Sequence, residues 1–344
     1  MKNKKEKNTL SILLIIIDVL ALFTFFIVYG PFDTFRNWFI PTSMTTMTHR
    51  YFAHTLYDDE TIDKTLDNNK VVEPDNGTDI SKINLAPIVD TGEYESIYEE
   101  QILKKDNDND LYKIVDLEGD GYKGYMIVVY DPSKLQLVFS QKYRKGGEYL
   151  SKMAKNNNAV VAINASGVSH AGNNRVTGTA IKDGKVFDTG NKINKGGGLI
   201  GFTKDNILML TKDSPAKAIK AGMDRAVEFG PFLIVNGVES KFKGNGGWGI
   251  ANRTAIGQRQ DGIVLLVVID GRSATSKGIS IVGLKDIFVK YKAYNAANLD
   301  GGGSSAMYAN GKLLNNPVGY GYKGERYLPN AWMIIPESTQ VKEN

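Results

Sequence analysis

The chain has 344 residues, 42% of them hydrophobic, with 36 glycines, no cysteine and a formal charge of +4. That length and apolar share suffice to bury a sizeable core, which excludes a disordered or fibrous protein. The missing cysteines exclude disulfides, thiolate zinc sites and cysteine nucleophiles, and because Lys2, Lys4, Lys5 and Lys7 carry the charge excess, nothing points to nucleic acid.

Thr9 to Tyr29 reads TLSILLIIIDVLALFTFFIVY, 21 residues, long enough to cross a hydrocarbon core of about 30 Å as a helix. Asp18 lies in its middle. Fifteen Leu, Ile, Val and Phe residues, at roughly −0.3 to −0.6 kcal/mol each, outweigh one central Asp at roughly +2.5 to +3.5. The preceding lysines keep the N-terminus cytoplasmic and send everything after Gly30-Pro31 outside. A cleaved signal peptide would have a shorter apolar stretch and a small-residue cleavage site. Residues 1–30 are therefore read as a basic tip and a single-pass membrane anchor.

Residues 31–109 look like a stalk or connector, with one helix possible over HRYFAHTLYDDETIDKTL (His49 to Leu66) and a polar, turn-rich DNNKVVEPDNGTD after it. His49 and His54 are five apart, so they do not share a helical face as a metal pair would. DNDNDLYKIVDLEGDG (Asp106 to Gly121) has a calcium-loop texture. However, Leu111 stands where an EF-hand needs glycine and Leu117 where it needs a bidentate Glu, so a solvated turn is expected.

From residue 110 to 337 the texture changes to short β-branched or aromatic runs divided by turn signals. YMIVVY, DPSK and LQLVFS read as a hairpin. Further strands are expected at AVVAIN, GTAIK with DGKVF, GLIGF, ILML, FLIVNG and GIVLLVVIDGR. EYLSKMAK is a candidate helix, and in IVGLKDIFVKYKA Leu284, Ile287, Phe288 and Tyr291 follow helical spacing. The expected fold class is α+β: a single catalytic domain of mixed or antiparallel sheets with few helices, behind the membrane helix. Residues 338–344 form a polar tail.

The chemistry-bearing residues concentrate at strand ends. NAANLDGGGSSAMY puts Gly301, Gly302 and Gly303 directly behind Asp300. Such a backbone accepts positive φ and lets a substrate approach where a Cβ would collide. Its N–H groups, with Ser304 and Ser305, suggest a concave anion site. Arg253 opens a strand in ANRTAIGQRQDG, Arg272 follows IDG, and Arg326 sits in GERYLPNAW. A forked guanidinium suits phosphate or carboxylate oxygens better than lysine does. Asn164 ends AVVAIN, and His170 lies in the loop beyond it, a possible base. Gly319, Gly321 and Gly324 satisfy GxGxxG, but no strand feeds them, so a dinucleotide site is not expected. GxSxG, HExxH and Walker patterns are absent.

With AIN, NRTAIGQRQDG, VIDGR, NAANLDGGGSS and GER in this order, the sequence resembles the phosphodiester glycosidase family over roughly Leu111 to Pro336. That family includes bacterial exopolysaccharide-associated proteins, and the resemblance implies cleavage of a sugar from the phosphate of a sugar-1-phosphodiester. Carried over residue by residue, it implies Asp300, Glu325 and Asp270 as catalytic candidates. It implies Asn164, Arg253, Gly301, Gly302, Gly303, Ser304, Ser305 and Arg326 as substrate-binding ones. After Asn164 the sequence departs from the family, having Ala165, Ser166 and Gly167 in place of a glycine-rich stretch ending in an aromatic.

The expected partners are a sugar-1-phosphodiester or cell-surface glycan, and a membrane through the first helix. No cofactor is indicated for certain, and a divalent cation among the carboxylates is possible, a question that spacing alone leaves open. Two other functions share the pattern: a non-catalytic glycan-binding or assembly protein of the cell envelope, and a transferase that passes the sugar to another acceptor.

Overall fold

A computed structural model describes residues 2–45, 49–85, 90–107, 110–169, 173–190, 197–319 and 324–336, with side chains from residue 9 onward. Contacts divide the chain into two units, one of residues up to Val71 with Phe242–Gly249, the other of Val72–Lys241 with Ile250 onward.

The first unit is helical: α1 Lys2–Tyr29, α2 Asp33–Met44, α3 Arg50–Leu56 and α4 Asp59–Asn68. Val28, Ile40, Ala53, Tyr57 and Ile62 form its core. The helix expected over 49–66 breaks in two, because Asp58 turns extended and its carboxylate accepts the Thr61 N–H at 2.7 Å, a cap that starts a new helix. The connector expected over 31–109 is therefore not one piece. Asp33–Met44, Arg50–Leu56 and Asp59–Asn68 are helices, and from Val72 the chain belongs to the larger unit.

In chain order the second unit has strands β1 Tyr112–Gly119, β2 Tyr122–Val129, β3 Leu135–Phe139, β4 Val161–Asn164, β5 Ala180–Lys182, β6 Lys185–Asp188, β7 Gly198–Thr203 and β8 Leu208–Thr211. There follow β9 Met223–Phe229, β10 Phe232–Val235, β11 Arg253–Arg259, β12 Val264–Ile269, β13 Ala293–Asn298, β14 Met307–Ala309 and β15 Asn330–Ile334. Its helices are α5 Ile97–Leu103, α6 Leu150–Asn156, α7 Pro215–Lys220 and α8 Ile281–Lys290.

A seven-stranded sheet runs in the order Val238–Glu239, β10, β13, β11, β12, β2, β1. Two five-stranded sheets run β8, β7, β9, β5, β6 and Lys312–Leu313, β14, β4, β15, β3. The ladders are antiparallel, so the α+β class expected from the sequence holds.

Strand composition follows position. β12, VLLVVI, is buried along its whole length, as a strand covered on both faces must be. Edge strand β1 instead alternates, with Val115 and Leu117 buried and Asp116 and Glu118 exposed. α8 starts where the Ser280 hydroxyl accepts the Gly283 N–H, and it lays Leu284, Ile287 and Phe288 on the sheet. Phe288 comes so close to β11 that a Cβ at Gly257 would lie 2.7 Å from its ring. Between the five-stranded sheets, Trp332 of β15 meets Phe202 of β7 edge to face, ring centroids 5.4 Å apart.

Two local expectations fail. Asp106–Gly121 is not a solvated turn, since half of it is β1, joined to β2 by the two-residue turn Asp120-Gly121. YMIVVY and LQLVFS are not a hairpin: β2 pairs with β1 and β12, while β3 pairs with β15 in another sheet. The DPSK linker is a 3-10 turn pinned by Asp131, whose carboxylate accepts the Ser133 N–H, and it carries the chain between sheets. The tail from residue 337 lies outside the described residues.

Candidate active site

Antiparallel order brings three strand termini to one end of the seven-stranded sheet. β11 lies between β12 and β13, with Arg253 opposite Ile269 and Ala255 opposite Asn298. The start of β11 and the ends of β12 and β13 are therefore neighbours, and Arg253, Asp270 and Asp300 issue from the same edge. Asn164 arrives from β4 of a five-stranded sheet.

Asn164 is fully buried and fully engaged. Its Nδ2 donates to the Asp300 carbonyl at 2.6 Å, and its Oδ1 accepts the Thr254 hydroxyl at 2.8 Å and the Ala306 N–H at 3.1 Å. It thus grips both ends of the glycine-serine loop. Asp270 braces the loop from the other side: Asn315 Nδ2 donates to its carboxylate at 3.0 Å and to the Ser305 carbonyl at 3.2 Å. Asn315 Oδ1 accepts the Met307 N–H at 2.8 Å. The Asn316 N–H adds bonds of 3.0 and 3.2 Å to the two Asp270 oxygens.

Within the loop, Gly302 has φ +60, a left-handed conformation that favours glycine. A Cβ at Gly301 would lie 2.8 Å from the Asn252 carbonyl, and one at Gly302 3.3 Å from Nη2 of Arg272. The open nest of amides expected here is largely closed. Gly302 N–H donates to Asn252, Ser304 N–H to Gly301 and Ser305 N–H to Gly302, at 2.9, 3.1 and 3.2 Å. The Gly301 N–H faces the Asp300 carboxylate. Charge around the loop is therefore set mainly by side chains.

Asp300 is half-buried, and desolvation pushes its pKa up to about 6. The Arg326 charge opposes this most, followed by the Ser304 hydroxyl and the Gly301 N–H. Ser304 Oγ itself falls short of full hydrogen-bond geometry. Arg253 is only 4% exposed, and its Nε donates to the Ile279 carbonyl at 3.3 Å. Burial, then the like charge of Arg272, bring its pKa down to about 10, so it remains ionised. Arg326 thus acts on the Asp300 carboxylate, while Arg272, whose charge reaches Arg253, lies over Gly302, so positive charge gathers around a loop without side-chain bulk. An anion is the natural complement of that surplus.

A sequence profile described as phosphodiester glycosidase matches residues 157–335, about half the chain. The chain belongs to the phosphodiester glycosidase family. It is 33% identical over 184 residues to the SPbeta prophage-derived uncharacterized protein YomE of Bacillus subtilis (strain 168), covering 49% of this chain and 27% of that one. Over 68 residues it is 37% and 38% identical to N-acetylglucosamine-1-phosphodiester alpha-N-acetylglucosaminidase of Bos taurus and Homo sapiens, covering 20% of this chain and 13% of each. The chain therefore spans about a quarter or less of these relatives. The catalytic domain of the zebrafish N-acetylglucosamine-1-phosphodiester alpha-N-acetylglucosaminidase, auto-inhibited by its pro-peptide, shares the fold. The TM-score is 0.55 at 20% identity, over 67% of this chain and 85% of that one.

Within this phosphodiester glycosidase domain the other carboxylates have structural partners. Glu325 accepts the Ser151 N–H at 2.8 Å and the Ser151 hydroxyl at 2.5 Å, capping the first turn of α6. Among the described residues no three His, Asp or Glu side chains gather as a metal site. Arg272, which the family resemblance does not put among the site residues, belongs with the loop: it has φ +56 and its guanidinium lies over Gly302. His170 lies outside the described residues.

Proposed function

We propose that the larger unit hydrolyses glycosyl-1-phosphodiesters, breaking the bond between the anomeric carbon and the phosphate oxygen. We further propose that α1 holds it on the outer side of a membrane, where the substrate is a cell-surface polysaccharide or glycolipid. The observation that supports this most is the half-buried carboxylate of Asp300, under the charge of Arg326, on a loop of glycines that Arg272 overlies. A phosphodiester carries one negative charge, which the guanidinium groups neutralise.

Its leaving group, a phosphate monoester with a second pKa near 6, needs little protonation. One carboxylate therefore suffices where ordinary glycosidases use an acid and a base. Asp300, ionised at neutral pH, either takes a proton from the attacking water or attacks the anomeric carbon itself. The C–O electron pair leaves on phosphate, and the arginines stabilise the charge growing there. Asn164 and Asp270 act as positioning residues that hold the loop, and Glu325 fixes α6 beside Arg326.

Along α1, Thr9–Tyr29 has a mean hydropathy of 2.8 and is almost entirely exposed, which supports an anchor, and Lys2, Lys4, Lys5 and Lys7 before it favour a cytoplasmic N-terminus. The test is to incubate the purified chain with a panel of sugar-1-phosphodiesters, with and without chelator and added alcohol. Free sugar and phosphate monoester are expected. A sugar-alcohol product would mean a transferase, and binding without turnover across the panel would mean a glycan-binding protein.

A further inference from the structure

Along α1 the exposed apolar residues change in kind. From Leu10 to Leu22 they are aliphatic; from Phe23 to Tyr29 they are mainly aromatic. The aromatic run does not stop where the helix does. Phe32 just before α2, Trp38 on α2, and Tyr51 and Phe52 on α3 are 43–59% exposed.

These rings are tied to the end of α1. Phe32 lies 6.2 Å from the Phe26 ring, Trp38 5.9 Å from Phe35, and Phe35 stacks on Phe39 at 5.2 Å. Phe39 in turn contacts Tyr57, whose hydroxyl donates to the Val28 carbonyl at 3.0 Å and whose ring lies 6.1 Å from Tyr29. The core of Val28, Ile40, Ala53, Tyr57 and Ile62 fastens α2, α3 and α4 to the last turn of α1. A small helical cap with this many exposed rings is unusual for a surface facing water. Tryptophan and tyrosine collect at the headgroup level of bilayers, where one part of the ring is apolar and the other wet.

We propose that α2 and α3 form an aromatic collar at the outer end of α1, with Phe32, Trp38, Tyr51 and Phe52 seated in the headgroup region of the lipid surface. The collar rests on the reading of α1 as a membrane span. Its occupant is lipid because the exposed aromatics begin within the span and recur on the helices fastened to its last turn. The collar fixes the first unit against the bilayer so that it does not swing as a tether.

The chain holds three tryptophans, of which Trp332 is fully buried. With Trp248→Phe in place, and the emission of the Trp38→Phe/Trp248→Phe chain subtracted to remove that of Trp332, the remainder reports on the surroundings of Trp38. The full chain in vesicles of phosphatidylcholine brominated near the headgroup end of the acyl chain should lose at least half of its Trp38 emission. Aqueous acrylamide should quench it several-fold less than it quenches free tryptophan. Because the chain has no cysteine, Phe52→Cys and the control Asp59→Cys give single thiols, and an impermeant maleimide should label the first at least ten-fold more slowly.

Trp38 open to acrylamide and indifferent to bromine, in a chain that resists alkaline carbonate extraction, overturns the collar and leaves the span standing. Shielding from both quenchers also overturns it, since a second copy or a protein partner would then cover the rings. Release by carbonate overturns the span and the collar together.

Discussion

Asp188 and Asp300 are both carboxylates set among arginines in the larger unit, and they are held in opposite ways. Asp188, at the end of β6 and 4% exposed, receives both Nε and Nη2 of Arg175, Nη2 of Arg144 at 2.8 Å, the Tyr143 hydroxyl and the Gly190 N–H at 3.0 Å. Burial would raise its pKa, but these donors outweigh burial and hold it well below the usual carboxylate range. Asp300 has fewer donors, and there desolvation wins. A satisfied ion pair stabilises the fold. A carboxylate left under-satisfied beside surplus positive charge is arranged for something that arrives later.

The largest expected contrast is in turnover. Asp300→Ala should lower kcat/KM on a sugar-1-phosphodiester by about 10³–10⁴-fold while far-ultraviolet circular dichroism and the unfolding midpoint stay near wild type. Asp188→Ala should do the reverse. It strands two guanidinium groups, Arg144 being half exposed, and should cost about 2–4 kcal/mol in urea unfolding, with kcat within about three-fold of wild type at temperatures where it is folded. Full activity in Asp300→Ala would remove the distinction between the two sites.

A smaller effect separates the arginines. Arg272→Ala should lower kcat/KM by about 10–100-fold, the loss of one charge-assisted contact of about 1.5–3 kcal/mol. The effect should vanish on an uncharged aryl glycoside that carries no phosphate. An equal loss on both substrates would mean that Arg272 only shapes the loop.

Much of this site was legible locally. LDGGGSS announced a strand end followed by a turn free of side chains, Arg253 announced a strand start, and the spacing of Leu284, Ile287 and Phe288 gave α8. What escaped depends on partners far away in the chain. Nothing near Glu325 signals that Ser151, 174 residues earlier, needs a helix cap. Asp270 likewise gives no sign that Asn315 will carry its influence to the loop. The amides of the loop looked free because a glycine run does not reveal that Asn252 and the loop's own carbonyls will accept them. The sheet change after β2 rests on one 3-10 turn, and β-propensity is silent about which sheet a strand joins.

The smallest effect is the most diagnostic, because the two carboxylates should give opposite pH dependences. The Asp188 pKa is depressed in the folded chain, so its contribution is present above the unfolded value of about 3.9 and is lost as pH falls through the folded one. The Asp300 pKa is raised, so its contribution is present below about 3.9 and is lost as pH rises through about 6. Asp300→Asn, which removes the ionisation and keeps the shape, should therefore stabilise the protein at pH 8 by about 1–3 kcal/mol. The gain should shrink below pH 6 and disappear near pH 4. Wild-type kcat/KM should rise across the same interval as the carboxylate ionises and level off above it. If the stability difference between Asp300→Asn and wild type is flat from pH 4 to 8, Asp300 carries no desolvation strain, and its contrast with Asp188 reduces to a difference in hydrogen-bond count.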